Sequence, residues 1–246
     1  MLLDEVRESG STHDGYFDLL GPEPAESTGA VQDLMLTGIV PQIYERWWRP
    51  TLGQFFKGPF GPSMADEHRI ARLLMGLSPG DGVLDVACGN GNFSRGFAHT
   101  VGQDGLVVGL DVSQTMLDRA VADTPGEEVA YVRGDIGEPI FRDQSFDAIC
   151  CFAAFHLLAD PMHALDRMTQ LLTPGGRIAL FTTARPRSAP LRTFQAVATA
   201  RSGAVMFDQE EVVHALEERG FEDVRVRVSG VTQFVGGRLA LATQSQ

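Results

Sequence analysis

The sequence predicts an α/β protein: a doubly wound, mostly parallel seven-stranded sheet with helices on both faces, a C-terminal antiparallel hairpin and an N-terminal helical cover. Three observations carry this. From Met64 onward, short apolar runs suited to buried strands alternate with segments whose apolar residues recur at helical spacing. One such run, Val83-Leu84-Asp85-Val86, opens into the small-residue turn Ala87-Cys88-Gly89-Asn90-Gly91 and then a helix. The last two runs, Val224 to Val228 and Val231 to Leu241, are joined through Ser229-Gly230 and read as a hairpin with one wet face.

The chain divides into residues 1–30, 31–62 and 63–246. In the first, Gly10, Gly15, Gly21, Pro22, Pro24 and Gly29 around a patch of Tyr16, Phe17, Leu19 and Leu20 predict a mobile arm. In the second, Leu34, Met35, Ile39, Ile43 and Trp47 fit a helical face that Pro41 interrupts and Pro50 ends. Phe55, Phe56 and Phe60 follow in an aromatic loop, which reads either as a satellite core or as a cover over a substrate.

The third stretch opens with Ser63 and Asp66 at capping-box spacing, before a helix over Met64 to Gly76 with the stripe Ile70, Leu73, Leu74 and Leu77. Pro79-Gly80 ends it. Beyond the glycine turn, Asn92 or Ser94 opens a helix carrying Phe93, Phe97 and Val101; Leu106 to Asp111 is a buried-type strand, and Ser113 caps the helix after it. Val129 to Val132 is the next strand and Phe146 to Phe152 the next, almost wholly apolar. Asp160 caps a helix with Pro161 in its first turn and Met162, Leu165, Met168 and Leu172 on one face. Pro174-Gly175-Gly176 then turns the chain into the strand Arg177 to Thr182. A helix is expected around Leu191 to Ala200, and another begins at the capping box of Asp208 and Glu211 and closes at Gly220.

Composition limits the function. Lysine plus arginine total 20 against 32 aspartates and glutamates, a net charge of −12 that argues against a nucleic-acid partner. Cys88, Cys150 and Cys151 include an adjacent pair in an apolar run, which suits a reducing compartment and a cytoplasmic protein. No stretch approaches the roughly 20 apolar residues a membrane helix needs, so membrane insertion is not expected.

The chemistry centres on the glycine turn. Gly89 and Gly91 lack the side chains that would keep a ligand off the backbone, and the helix start behind them offers free amides to polar or anionic groups. Asp111 ends the second strand about twenty residues beyond the turn, where an acid can accept ribose hydroxyls. Alone, this pattern also fits an NAD-dependent oxidoreductase, although Ser94 stands at its third glycine.

The fuller set is more specific. Asp85-Val86-Ala87-Cys88-Gly89-Asn90-Gly91, Gly109-Leu110-Asp111-Val112-Ser113, Gly134-Asp135-Ile136, Phe146-Asp147-Ala148-Ile149 and Leu172-Thr173-Pro174-Gly175-Gly176 stand in the order and spacing of class I S-adenosyl-L-methionine (SAM)-dependent methyltransferases. The chain resembles that family over roughly Met64 to Leu241, nearest its small-molecule branch of quinone-biosynthesis C-methyltransferases. The resemblance implies a Rossmann-like methyltransferase fold, SAM as cofactor, S-adenosyl-L-homocysteine as product and a small-molecule acceptor that is aromatic, quinone-like or lipid-like. Oligomeric state stays open, and no metal is implied. The family's usual first glycine is Ala87 here, a departure expected to be tolerated with the methyl pointing into the sheet.

Carried over by position, Ala87, Cys88, Gly89 and Gly91 would hold the methionine part, with Asp85 near its ammonium or merely bracing the turn. Asp111 would accept both ribose hydroxyls. Val112 and Met116 would pack on adenine, Asp135 would accept from its amine and the Ile136 amide would donate to its ring; Met116 reads equally as core. Cys151 and Phe152 would line the passage to the acceptor, with Phe155, Tyr44, Trp47 and Trp48 as candidate substrate contacts; the last three read equally as core. His156, just after the fourth strand, is the candidate general base if one is needed, or it orders its loop. His68 and His163 are expected to be surface groups. A SAM-binding partner without catalysis is the alternative from another class.

Overall fold

The computed structural model describes residues 1–21, 61–126, 129–186 and 204–241. Tyr44, Trp47 and Trp48, the helix expected over 31–50, the aromatic loop at Phe55 to Phe60 and the helix expected around Leu191 to Ala200 lie outside the described residues. In chain order the described elements are α1 (Asp4–Ser9), β1 (Ser11–His13), β2 (Tyr16–Asp18), α2 (Met64–Met75), β3 (Gly82–Val86), α3 (Asn92–Val101), β4 (Leu106–Asp111), α4 (Gln114–Ala122), β5 (Val129–Arg133) and β6 (Phe146–Phe152). A 3-10 turn (Phe155–Leu157), α5 (Pro161–Leu171), β7 (Leu172–Thr183), α6 (Glu211–Glu218), β8 (Phe221–Ser229) and β9 (Thr232–Leu239) complete them.

The strands form one sheet in the order β1-β2-β5-β4-β3-β6-β7-β9-β8. β2 through β7 run parallel, while β9 pairs antiparallel with both β7 and β8. The chain runs outward from β3 to β5 and then returns to β6 on the other side of β3. This puts a topological switch point, with its ligand crevice, beside the carboxyl end of β3.

Both faces of the sheet are covered, which is why its strands read as nearly continuous apolar runs. In β3, Leu84 and Val86 join the core under α5 and α6, while Val83 joins the core under α2, α3 and α4. Phe97, Leu117 and Leu165 are fully buried, and each such side chain contributes about 1.5–3 kcal/mol relative to exposure. The helix starts follow their capping residues: Ser63 and Asp66 form the reciprocal capping box, Ser113 accepts the Met116 amide, and Asp160 accepts those of Met162 and His163.

Three expectations need correction. The sheet has nine strands among the described residues rather than seven, because residues 1–21 fold onto it. β2 pairs in parallel with β5, Tyr16 is buried, and the stretch packs as a sheet edge instead of standing off as an arm. The buried face of α2 is Glu67, Ala71 and Met75, whereas Leu73, assigned to the apolar stripe, is 69% exposed. Ile70, Leu74 and Leu77 of the same stripe are half-buried and pack at the margin of that core. Thirdly, Pro174-Gly175-Gly176 does not precede β7 but bulges within it: Leu172 pairs with Phe146 and Arg177 with Ala148, with Gly175 at φ 86° in the extruded loop.

Candidate functional site

The carboxyl ends of β3, β4, β5 and β6 bring Ala87 to Gly91, Asp111 to Ser113, Asp135 and Phe152 to one edge of the sheet. The turn after β3 is left-handed at three positions, with φ 55° at Ala87, 57° at Gly89 and 73° at Gly91. Glycine adopts this region freely. Ala87 does so at a cost on the order of 1 kcal/mol, so this departure from the family pattern is a strained position and not a neutral one. A β-carbon on Gly89 would project into open space, leaving the turn's backbone approachable, whereas one on Gly91 would lie 2.0 Å from the Tyr131 hydroxyl. The second glycine therefore makes room for a buried tyrosine, whose hydroxyl is paired with Thr124 Oγ1 at 2.9 Å.

Asp111 is the best-prepared acceptor here. Its carboxylate takes the Gly89 amide at 2.8 Å on one oxygen and the Ser113 amide at 2.8 Å on the other. The group is only 8% exposed. Burial raises its pKa, against which the amides of Ser113, Gly89 and Val112 pull it down. Both oxygens are thereby fixed in orientation as acceptors, and a carboxylate is the acceptor-only group that two adjacent hydroxyls require. Asp85 is 2% exposed and accepts from the Ser94 hydroxyl at 2.6 Å and the Cys150 thiol at 3.2 Å. These contacts brace the start of α3 against β3. Cys88 is buried, and burial lifts its thiol pKa so that the group is neutral.

On the far side of Asp111, Met116 and Ile136 are buried, Val112 is half-buried and Asp135 is exposed, its carboxylate accepting the Gly137 amide at 2.8 Å. All four stand around the ends of β4 and β5, so the structure brings this predicted set together. His163, exposed as expected, contacts the Gly137 carbonyl at 3.1 Å.

Toward β6 the predictions separate. Phe152 belongs to an aromatic cluster with Phe93 at 4.9 Å and with Phe181 and Phe234 at 6.1 Å; Phe181 and Phe234 themselves stack at 4.3 Å. Cys151 points to the opposite core and is fully buried, and so is Phe155, which stacks on Phe207 at 5.3 Å. Neither lines an open passage; alternation along β6 sends neighbouring side chains to opposite faces. His156 is half-buried, its Nδ1 has no hydrogen-bond partner among the described residues, and burial pulls its pKa down to about 4. The imidazole is neutral at pH 7 and a weak base.

His68 is half-buried rather than a surface group. Its ring stacks on Phe93, in the first turn of α3, at 4.2 Å, and the preceding Glu67 is buried. The spacing of Glu67, Ala71 and Met75 at every fourth residue is the signal, obscured by the more hydrophobic Leu73, which is exposed.

Fold and site together define a doubly wound α/β nucleotide-binding protein with a glycine turn and a ribose-type acid. The fit to SAM rests on the open space over Gly89 and the amide-held Asp111. Comparison with known proteins specifies the family. A model described as a methyltransferase domain matches residues 84–180. A demethylmenaquinone methyltransferase of Staphylococcus aureus is 30% identical over 202 residues, 72% of this chain and 82% of its own. That of Bacillus cereus is 34% identical over 116 residues, and there the match spans about half of each, 46% and 49%. The chain belongs to the class I SAM-dependent methyltransferases, and it resembles the quinone methyltransferases among them.

Solved structures share the fold. Phosphoethanolamine N-methyltransferase 2 of Haemonchus contortus, in complex with phosphomonomethylethanolamine and S-adenosylhomocysteine, aligns with TM-score 0.69 at 15% identity, over 88% of this chain and 61% of that one. A SAM-dependent methyltransferase of Aquifex aeolicus aligns with TM-score 0.57 at 22% identity, over 71% and 90%. The family sets aside the oxidoreductase reading. No helix among the described residues is long and apolar enough to cross a membrane.

Proposed function

We propose that this methyltransferase acts on a small apolar acceptor, aromatic or quinone-like or lipid-like, and works mainly by positioning. The observation that carries this is the cluster of Phe93, Phe152, Phe181 and Phe234 at the carboxyl end of β6, joined by His68. All four rings are buried in the core under α2, α3 and α4, so they form a water-excluding apolar backing at this end of the sheet, against which a flat or greasy partner would be held. The demethylmenaquinone methyltransferase relatives support a quinone-like member of that class.

Bound SAM supplies a methyl group activated on a sulfonium. The chain's own part is to hold and align. Asp111 and the Gly89 amide fix the ribose side, the left-handed turn from Ala87 to Gly91 takes the methionine part, and Asp135 and Ile136 flank adenine. Orientation of this kind is worth on the order of 7–11 kcal/mol in well-aligned reactions, against about 10²–10⁴-fold for a general base. A neutral His156 with its pKa near 4 fits a loop-ordering role better than proton abstraction. The test is incubation with methyl-labelled SAM and a panel of quinols, phenols and fatty acids. Label in an extracted quinol supports the reading. SAM binding with no transfer to any member would favour a partner protein that binds SAM without catalysis.

A further inference from the structure

We propose that Arg133 is a positioning residue for the adenine side of the cofactor site, and that through it the N-terminal hairpin is part of that site. Arg133 ends β5, two residues before Asp135, and is 3% exposed in a strongly acidic chain. Its Nε donates to the Val112 carbonyl at 3.2 Å. Its Nη1 donates to Asp18 Oδ2 at 3.1 Å, and to the Gly21 carbonyl. One guanidinium thus joins three segments: the turn after β4 that carries Asp111, the end of β2, and the end of β5.

The partners are themselves tied down. Asp18 Oδ1 accepts the Leu20 and Gly21 amides at 2.9 and 3.1 Å, so the turn that presents the Gly21 carbonyl is closed on the same carboxylate. The Leu19 amide donates to the Arg133 carbonyl at 3.0 Å, and the Gly134 amide to the Asp111 carbonyl at 3.1 Å. The segment Asp111 to Ser113 is therefore held on one side by Gly89, through the Asp111 carboxylate, and on the other by Arg133, through the Val112 carbonyl.

A buried ion pair of this kind is a poor choice for stability alone, since apolar residues of the same volume serve as well. What it provides is geometry. A planar fork reaches acceptors on several sides at once, which an ammonium does only in part. With the guanidinium removed, the Val112 carbonyl loses its donor and the backbone between the ribose acceptor and the adenine wall is free to shift. The hairpin that the sequence presents as an outlying arm is by this reasoning the outer support of the cofactor site. This rests on the reading that adenine lies between Val112 and Ile136.

The test is SAM titration of full-length Arg133→Met, Arg133→Lys, Asp18→Asn and the control Arg142→Met, at a temperature where each is fully folded by circular dichroism. The control removes the exposed Arg142–Asp4 pair, at 2.7 Å, which ties the same N-terminal stretch elsewhere. Arg133→Met and Asp18→Asn are expected to weaken SAM binding about tenfold or more, Arg133→Lys by less, and Arg142→Met not at all. If Arg133→Met does not fold, Asp18→Asn carries the test. Affinities within twofold of wild type for the folded Arg133 and Asp18 variants would overturn the proposal while leaving the cofactor site intact. Equal weakening by Arg142→Met would overturn it in favour of general loosening, and a wild type that binds no SAM would overturn the site reading and this proposal together.

Discussion

The Gly89 amide donates to Asp111 Oδ2 at 2.8 Å across 22 residues of sequence. That bond ties the loop after the first central strand to the end of its neighbour, and the Ser113 amide completes the hold on the other oxygen. The Asp111 carboxylate and the glycine turn are thus fixed relative to each other by folding.

Asp111→Ala should lower SAM affinity by about 100-fold or more, because two hydrogen bonds to a charged group, each worth roughly 1.5–3 kcal/mol, are lost. Calorimetric titration checks it. An unchanged dissociation constant would refute the ribose assignment.

Ala87→Gly should stabilise the protein by about 1 kcal/mol, since glycine relieves the left-handed strain at φ 55°. In a chain of this size that raises the melting temperature by about 2–4 °C. A lower melting temperature would show that Ala87 is not strained.

Gly91→Ala should do the opposite. The added carbon meets the Tyr131 hydroxyl at 2.0 Å with φ at 73°, and overpacking with backbone strain costs about 1–3 kcal/mol. Urea unfolding reads the loss, and a midpoint equal to wild type would contradict the packing described.

His156 predicts a pH dependence. Its folded pKa, near 4, lies below the ordinary value of 6.5, so the unfolded chain takes up the proton first as pH falls. Its contribution is fully present above pH 6.5 and is lost between there and pH 4, to a total of roughly 3 kcal/mol. Across that window wild type should lose stability that His156→Gln keeps, so the difference between their stability curves should change with pH by that amount. Parallel curves would mean that the imidazole titrates normally.

The parts of the fold legible in the sequence were those governed by local rules. β4 and β6 fall on Leu106–Asp111 and Phe146–Phe152, and the caps at Ser63, Ser113 and Asp160 begin their helices as expected, because strand burial and capping depend on near neighbours. What depended on distant partners was not legible. Three-residue strands beside Gly10 and Gly15 give too little alternation to reveal that β2 would find β5. Leu73 outscores Ala71 on any hydropathy scale, yet the helix turns its small residue to the sheet. In the site, glycine turn and acids were readable from motif spacing, but Arg133 was not. Its contacts arise only where β2, β4 and β5 meet.

The most direct measurement is equilibrium titration of the wild-type protein with SAM and, separately, with NAD, followed by competition with S-adenosylhomocysteine. Saturable SAM binding at one site, displaced by S-adenosylhomocysteine and with no response to NAD, is the predicted result. Binding of NAD alone would contradict it.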